Sequence, residues 1–583
     1  MKENHQDSPG YAGSSLFRLP PVVAYGLLIL LGYALLFLLL QSNAFRESPT
    51  LVPDRWPAIF YPLRALLPQE WLAADRSSSM GLLNAGIYLG LLAFLFVVYL
   101  RAVRYAYRLY GHAATRYISN MIKAAFAITA AILALLFFAP GTLSTDLFSY
   151  IWYGRILGVY GDNPFVNYPA QYAWSDQTGW LQWVYWQYTP SVYGPLWVWL
   201  AGGIATIAQA IDGDIVTHLL GHKLVASMAH LLNIWLMWKV AGPVVSRFWK
   251  EPQNVSTADR AGWQNGARLA ITLTYAWNPL LLIEVGVSGH NDVLVVTGLL
   301  AAIWLHLSGR WRMAVLAITL AALVKITALL LLPGYLWLLF WEAKGHTTRE
   351  RIWAGLLRVA QGAGIAFAAT LLAYWPFVQD ARTLQLMAEG PPTRMFIHSL
   401  GAIIRFKLPE GVSYIAGALG MQPSRFWSVE QVGWRLDWPA RWGMLMITGA
   451  VAIYQTWRAR TFPGAISAWG WLLFTYLTIG SVWFWPWYVA WLLVPVALLG
   501  PGRLWNATQI LCASSLALYA VFPDRAAPFD MLAGWTGLVV MAPPLLYLLG
   551  SYAREALHRK AESRAHSTQA TQQSQPATTS ATS

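Results

Sequence analysis

Long apolar stretches recur along almost the whole chain, and they constrain its fold more than any other feature. The first covers about 20–40, and others follow as far as about residue 549. A helix needs about 20 apolar residues to cross a bilayer. Of the 583 residues, 57% are hydrophobic and only 11% are charged, which excludes an ordinary set of soluble domains. The sequence therefore predicts an all-α polytopic membrane protein.

The positions of the basic residues predict how the chain is threaded through the membrane. Cytoplasmic loops are enriched in Lys and Arg, and the net charge of +14 comes largely from clusters such as 101–123 and 239–268. These clusters all lie on the same side of the membrane only if the short apolar run 195–211 does not cross it. This argument predicts about fourteen transmembrane helices, cytoplasmic termini and a re-entrant or interfacial helix near 195–211. The positive charge then indicates loop orientation, and we expect no nucleic-acid partner.

The same threading predicts the domain organisation. A cytoplasmic tail (1–19) precedes one transmembrane domain (20–550), and a cytoplasmic tail (551–583) rich in Ser, Thr, Gln and Ala is expected to be disordered. The large outer loops are 42–79, 141–216 and 376–439. These outward segments carry nearly all of the unusual polar and aromatic residues.

Asp146 is the strongest candidate for chemistry. It lies in the segment STDLFSYIWYGR, residues 144–155, and a helix there would place Asp146 and Tyr150 on one face. In the first turn, the helix dipole favours an ionised carboxylate, which can accept a proton from a sugar hydroxyl. The alternative is that Asp146 only caps the helix.

A second polar segment ends in the sequence GHND, residues 289–292. Glu284, Ser288 and Asp292 are spaced four residues apart, so a continuous helix would align them in one stripe. Charged residues at membrane depth are costly and are functional by default. His290 and Asp292 alone are weak evidence for a metal site, because no third ligand lies nearby. We therefore expect them to form hydrogen bonds to a sugar or phosphate. The alternative is a satisfied polar turn.

Lys325 stands among apolar residues, where two short helices of the segment 313–341 are predicted to meet. A buried lysine needs an anionic partner or loses its proton. Glu284, Asp292 and the phosphate of a lipid carrier are candidate partners, and an ion pair within the protein is as good an explanation as a phosphate. Arg394 and His398 are a second candidate phosphate contact, although an ordinary solvated loop explains each of them too.

Aromatic residues are concentrated in the outward segments. Tyr193 lies in SVYGP, and Trp485, Trp487 and Tyr488 lie in SVWFWPWY. Such rings could stack on a sugar or an isoprenoid, and interfacial anchoring could also explain them.

Taken in order, several short segments resemble the GT-C superfamily of polyprenol-phosphate-sugar-dependent glycosyltransferases. They are DLFSYIWYG at 146–154, NPF at 163–165, YGP at 193–195, NP at 278–279 with GHND at 289–292, Lys325, and PWY at 486–488. Among these enzymes, the chain is most similar to the actinobacterial α-1,6-mannosyltransferases of lipoglycan synthesis. Phe148, Trp152 and Tyr153 depart from the mannosyltransferase pattern, which leaves the donor sugar and the acceptor open.

The resemblance implies an inverting transfer of a sugar, with mannose favoured, from a β-linked polyprenyl-phosphate donor to a glycan or glycolipid hydroxyl. Asp146 would be the general base, and no cofactor or metal would be needed. The site would lie on the extracytoplasmic face of the plasma membrane. The implied donor-binding residues are His290, Asn291, Asp292, Lys325, Arg394 and His398, and the implied acceptor side and aromatic wall are Tyr150, Tyr193, Trp485, Trp487 and Tyr488.

Two other classes of protein remain open on the sequence. A lipid-linked sugar transporter or flippase would use intramembrane charges for coupling, but such proteins often show repeat symmetry, which this sequence lacks. A polysaccharide ligase would also take a lipid-linked sugar, and would depend more on Arg394 and His398.

Overall fold

The computed structural model describes most of the chain. The described residues are 20–42, 66–74, 78–109, 114–139, 143–175, 179–251, 256, 259–378, 381, 383, 385, 396–421, 428–521 and 529–573. Throughout these ranges the regular structure is helical, and the one β-bridge joins Ile397 to Trp483. The prediction of an all-α protein is confirmed.

The α-helices of the first half are α1 (Pro21–Leu39), α2 (Ser79–Tyr107), α3 (Ala114–Phe137), α4 (Asp146–Gly158), α5 (Pro195–Ile211), α6 (Ile215–Phe248), α7 (Arg260–Ala276), α8 (Pro279–Gly286) and α9 (Asp292–Leu307). The second half contains α10 (Trp311–Val324), α11 (Leu332–Trp341), α12 (Thr348–Tyr374), α13 (Leu408–Ala418), α14 (Val429–Arg458), α15 (Phe462–Thr475), α16 (Val489–Leu499), α17 (Arg503–Val521) and α18 (Phe529–Gln573). Short α-helices cover Gln69–Leu72 and Leu400–Ala402.

Tighter and wider helical turns mark the places where the main helices break. The 3₁₀ segments are Pro169–Ser175, Trp180–Trp183, Ile326–Leu331, Trp375–Phe377 and Pro486–Tyr488. The π-helical segments are Ile403–Lys407 and Tyr476–Gly480. Segments of these two kinds often occur at hinges and functional sites.

Seven helical segments in the described ranges are long and apolar enough to cross a membrane: Pro21–Leu39, Ser79–Tyr107, Tyr117–Phe137, Ile215–Phe248, Thr348–Phe377, Phe462–Gly480 and Gly534–Glu562. The pair α7 and α8, bent by 44°, makes an eighth if it is one broken span. Shorter apolar helices include α5, α9, α10 and α16. The chain is a multi-pass membrane protein, and the figure of about fourteen spans stays a prediction.

Helix α5 is 17 residues long and packs closely on α4. A Cβ atom at Gly154 of α4 would lie only 2.4 Å from the carbonyl oxygen of Ala201 in α5. The glycine therefore lets the two backbones approach to a distance that a larger residue would prevent. This short helix coincides with the run that the sequence predicts to be re-entrant or interfacial.

The broken helices bring polar residues into the protein interior. Between α7 and α8, the Asn278 side chain accepts a hydrogen bond from Leu280 N at 3.0 Å, and Pro279 occupies the first helical position. Proline is well suited to that position because its missing N–H would be unpaired there anyway. Asn278 also donates to Gln509 Oε1 at 3.1 Å, which fixes the break against α17.

The C-terminal end differs from the sequence prediction. Helix α18 continues to Gln573, into the segment 551–583 that the composition predicts to be disordered. The helix is held near residue 555, where Glu555 forms ion pairs with Arg503 of α17 and with Arg559 one turn further along α18. Pairs of opposite charge four residues apart favour a helix even where few apolar residues are present.

Candidate active site

Asp146 is the first residue of α4, after the N-cap residue Thr145. The Asp146 side chain is partly exposed, whereas the rest of the first turn is buried. The Tyr193 hydroxyl donates a hydrogen bond to Asp146 Oδ2 at 3.2 Å. The carboxylate thus has a tertiary partner, so the capping interpretation does not describe it fully.

Tyr193 is held in place by the glycine that follows it. Gly194 N donates to Val324 O at 3.0 Å, and a Cβ atom at Gly194 would lie 2.0 Å from Leu323 O. Only glycine fits such a close approach of two backbones. This contact places Tyr193, and therefore Asp146, next to the end of α10.

Burial, followed in importance by the Asp146 carboxylate, raises the pKa of the Tyr193 phenol well above its usual range. The phenol therefore keeps its proton at every ordinary pH. As a result, it acts as a permanent hydrogen-bond donor to Asp146.

Lys325 interrupts the helical segment 311–341, as predicted. Helix α10 ends at Val324, Lys325 is extended (φ −148°, ψ 117°), and a 3₁₀ turn follows. The flanking Val324 and Ile326 are β-branched, which weakens the helix at this point.

The Lys325 ammonium forms an ion pair with Asp292. The distances from Nζ are 2.9 Å to Oδ1 and 2.8 Å to Oδ2. Nζ also lies 4.5 Å from the ring centroid of Tyr488, 5.5 Å from that of Trp491 and 5.8 Å from that of Tyr193. Of the partners that the sequence suggested, Asp292 is therefore the one that the structure pairs with Lys325.

The segment that precedes Asp292 is a turn, and it contradicts the expected helical stripe. Helix α8 ends at Gly286 and α9 begins at Asp292, so Glu284 and Asp292 do not share a helix. The turn instead folds His290 back toward Glu284, with 3.3 Å between His290 Nε2 and Glu284 Oε2. Repeating spacing cannot reveal where a helix ends, which explains why the sequence prediction was wrong here.

Tyr150 joins this turn to α4. Its hydroxyl donates to Asn291 Oδ1 at 3.3 Å and lies 3.4 Å from His290 Nδ1. Its ring contacts that of Tyr193 edge-on, with 5.0 Å between centroids. Because Tyr150 is fully buried, it acts as a structural link inside the site and does not form an exposed wall.

Three aromatic rings form a column beside the turn. The Trp485 and Trp487 rings are stacked at 5.0 Å and 8°, and Trp487 stacks on His290 at 3.8 Å and 17°. Burial, with a smaller contribution from Lys325, holds the pKa of His290 well below its usual range. His290 is therefore a neutral ring held between an indole and the carboxyl group of Glu284.

His398 lies at the far end of the same column. It meets Trp485 edge-on at 4.7 Å, and its Nδ1 is 2.7 Å from Thr536 Oγ1. Its φ of 48° is in the left-handed region, which is strained for a non-glycine residue. Burial lowers its pKa to about 3, so His398 would meet a phosphate as a neutral group and not as a cation. Arg394 lies outside the described residues.

Several neighbours of the site were missed by the sequence analysis. Tyr519 of α17 donates to Glu284 Oε1 at 2.8 Å, and Trp197 packs edge-on against Tyr150 at 4.9 Å. No local pattern marks these two residues. Trp491 follows Tyr488 by three residues, and this helical spacing could have suggested that both rings face Lys325.

An apolar cavity of about 740 Å³ begins immediately after Lys325. Its walls come from the segment after the Lys325 bend, from α14 and from the π-helical turn: Ile326, Thr327, Leu329, Leu330, Pro333, Trp337, Ala452, Ile453, Thr456, Trp457 and Tyr476. Ile326 and Ile453 are 70% and 75% exposed, so the cavity is open to the surface of the protein. Within the described ranges, no group of three or more His, Cys, Asp or Glu residues could hold a metal ion.

The fold and the site define a polytopic membrane protein with a polar, carboxylate-containing site beside an apolar cavity. The chain is similar to the MptA/B family: the model for the alpha-(1->6)-mannopyranosyltransferase N-terminal domain matches residues 60–248 and 254–341, just under half of the sequence. The family description supports a mannosyltransferase activity. No curated protein and no solved structure gave a significant match.

The matched residues contain most of the site. Asp146, Tyr193, Asp292 and Lys325 all lie within them, whereas the aromatic column at 485–487 comes later in the chain. The resemblance to actinobacterial α-1,6-mannosyltransferases, drawn from short motifs, is thus confirmed by a match over longer segments.

Proposed function

We propose that the chain is an inverting mannosyltransferase that uses a polyprenyl-phosphate donor and a glycan or glycolipid acceptor on the outer face of the membrane. Asp146 is the general base. One observation carries the proposal: the polar site and the apolar cavity lie on either side of the Lys325 bend. A charged group and an apolar groove are therefore next to each other. A lipid-linked sugar phosphate has the same two parts.

The donor fits this junction in chemical terms. An isoprenoid chain would occupy the cavity that begins at Ile326 and could enter it from the bilayer. Its phosphate would then lie near Lys325, whose ammonium has three N–H donors. Both oxygens of Asp292 accept from this ammonium, and the Lys325 side chain is still 12% exposed, which leaves a direction from which a phosphate oxygen would approach.

The transfer step follows from these positions. The oxygen of an acceptor hydroxyl attacks the anomeric carbon of the donor sugar, and Asp146 takes the hydroxyl proton. The bond from the anomeric carbon to the phosphate oxygen breaks, and polyprenyl phosphate leaves with the electron pair. Fixed positive charge near the leaving phosphate stabilises the transition state, and a positioned carboxylate base typically contributes about 10²–10⁴-fold in rate.

A single displacement inverts the configuration at the anomeric carbon. A β-linked donor would therefore give an α-linked product, which agrees with the linkage in the family description. The sidedness of the site rests on the basic loops, which assign the segments around Asp146 and Asp292 to the outer face.

Sugar transfer in proteoliposomes tests the proposal. The purified full-length protein is supplied with polyprenyl-phosphate [¹⁴C]mannose and a mannoside acceptor, and Asp146→Asn is compared with the wild type. We expect the variant to lose at least about 10²-fold in kcat and to keep its donor KM. Asp214→Asn is a suitable control, because Asp214 caps α6 and Asn caps a helix equally well.

Two results would contradict the proposal. Full activity of Asp146→Asn would remove the general base. Movement of the intact lipid across the bilayer without bond cleavage would instead indicate a flippase. An assay with EDTA tests the expected metal independence, since loss of activity on chelation would require an ion that the mechanism does not contain.

A further inference from the structure

A cluster of three aromatic rings lies at the opposite end of α4 from Asp146. The Tyr160 and Tyr172 rings are stacked, with 4.7 Å between centroids and 18° between planes, and the Trp174 ring lies 6.3 Å from that of Tyr160. Trp174 is 78% exposed. These three residues are here called the aromatic platform.

The two tyrosines of the aromatic platform are held in place by their hydroxyl groups. The Tyr160 hydroxyl lies 2.6 Å from Ser175 Oγ and accepts a hydrogen bond from Arg155 Nη2 at 3.0 Å. The Tyr172 hydroxyl donates to Asp162 Oδ2 at 2.6 Å. A surface that is fixed in advance loses little entropy when a ligand binds to it.

The polar groups around the rings suit a sugar. Asp162 is exposed, and a carboxylate accepts hydrogen bonds from hydroxyl groups while it repels the phosphate of a lipid head group. Aromatic rings that only anchor a protein at the membrane surface do not need such a partner. Tyr172 is only 7% exposed, so a ligand would meet the exposed Trp174 ring and the Asp162 carboxylate, and these two groups favour a neutral, hydroxyl-rich ligand.

The distance to the base defines which part of a glycan would bind there. Helix α4 has 13 residues and is about 20 Å long at about 1.5 Å per residue. The loop that follows is tied back onto α4, because Ala170 N of the platform segment donates to Gln187 O at 2.8 Å and Tyr153 OH in the middle of α4 donates to Thr189 O at 2.9 Å. A glycan that reached both sites would be several sugar residues long.

We infer that the aromatic platform is a distal binding site for an extended glycan acceptor, several sugar residues away from the hydroxyl that reacts at Asp146. This inference rests on the proposed function and adds a second contact with the glycan acceptor, remote from the hydroxyl that reacts. The platform holds the chain between successive transfers, so its contribution appears in acceptor affinity and leaves the chemical step unchanged.

Acceptor length is the variable that tests this inference. Transfer from polyprenyl-phosphate mannose is measured with an α-(1→6)-linked dimannoside and with the matching octamannoside, for the wild type and for Trp174→Ala. We expect KM for the octamannoside to rise about fivefold in the variant, which corresponds to about 1 kcal/mol. The dimannoside KM and both kcat values should be unchanged. Trp174→Tyr should restore most of the affinity, and Tyr414→Ala, at a residue of α13 that is 80% exposed, should have no effect.

Other outcomes overturn the inference. An equal KM change for both acceptors would indicate local distortion, and no change for either would show that the platform does not bind the glycan. An effect that depends on bilayer composition and not on acceptor length would identify Trp174 as an interfacial anchor. If the wild type transfers nothing, the proposed function fails, and calorimetric titration of octamannoside into wild type and Trp174→Ala in nanodiscs still decides whether the platform binds a glycan.

Discussion

Glu284 and His290 face each other across the turn between α8 and α9, with 3.3 Å between Glu284 Oε2 and His290 Nε2. His290 is neutral because burial lowers its pKa. A neutral ring carries a single N–H, and a proton on Nε2, toward the Glu284 carboxyl group, leaves Nδ1 unprotonated at 3.4 Å from the Tyr150 hydroxyl, which donates to Asn291 Oδ1. By its position, Glu284 therefore favours one tautomer of His290.

Replacement of Glu284 by Gln is expected to lower kcat about tenfold with little change in donor KM, because the amide keeps the size of the side chain but not its preference for one tautomer. Initial rates and a thermal melt measure the two effects. Glu342→Gln is the matched control, since Glu342 also faces a histidine, His306, at 3.5 Å but lies outside the site. A wild-type kcat for Glu284→Gln would show that the pair is only structural.

Tyr193→Phe removes the hydroxyl that donates to Asp146 at 3.2 Å. A hydrogen bond to a carboxylate favours its ionised form, so its loss should move the acidic limb of the kcat/KM profile to higher pH and lower kcat about tenfold. Tyr153→Phe is the control, because its hydroxyl is bonded to Thr189 O at 2.9 Å and not to Asp146. A profile whose acidic limb does not move would exclude this role of Tyr193.

Lys325→Met should raise the donor KM more than the acceptor KM, because it removes the cation nearest the predicted phosphate. The single change leaves Asp292 buried without its partner, at a cost of about 3–5 kcal/mol in the free energy of unfolding. The double variant Lys325→Met with Asp292→Asn should regain most of that stability but not the donor affinity. Thermal melts and donor titrations separate the two effects, and a double variant with wild-type donor KM would contradict the phosphate assignment.

Filling the apolar cavity should weaken donor binding in proportion to the length of its lipid. Ile453 lines the cavity, and Ile453→Trp is expected to raise KM about tenfold for a long polyprenyl donor and little for one with a single isoprene unit. Ile447→Trp on the same helix, also half exposed, is the matched control. Equal effects of the two variants, or equal effects on both donors, would show that the lipid binds elsewhere.

Much of the site was predictable because its residues are charged although the surrounding sequence is apolar. Asp146, Asp292 and Lys325 are charged residues in or beside apolar stretches, and such residues are retained in membranes only when they have partners. The positions of the basic residues predict that the segments containing Asp146, Asp292 and Lys325 lie on one side of the membrane, and the structure brings these segments together.

The contacts between distant segments could not be predicted in the same way. The pairing of Glu284 with His290 depends on a helix end at Gly286 that periodicity does not mark. The cavity is formed by residues about 120 positions apart, such as Trp337 and Trp457, and it exists only once the helices pack. His398 was selected as a possible phosphate ligand, and only its burial and its contact with Thr536 showed that it is neutral and supports the aromatic column.

The close approach of Gly194 to Leu323 has a consequence for the position of the base. The backbone that carries Tyr193 rests directly on the end of α10, next to the segment that lines the apolar cavity. A side chain at position 194 would push this backbone away from Leu323 and move the hydroxyl that donates to Asp146.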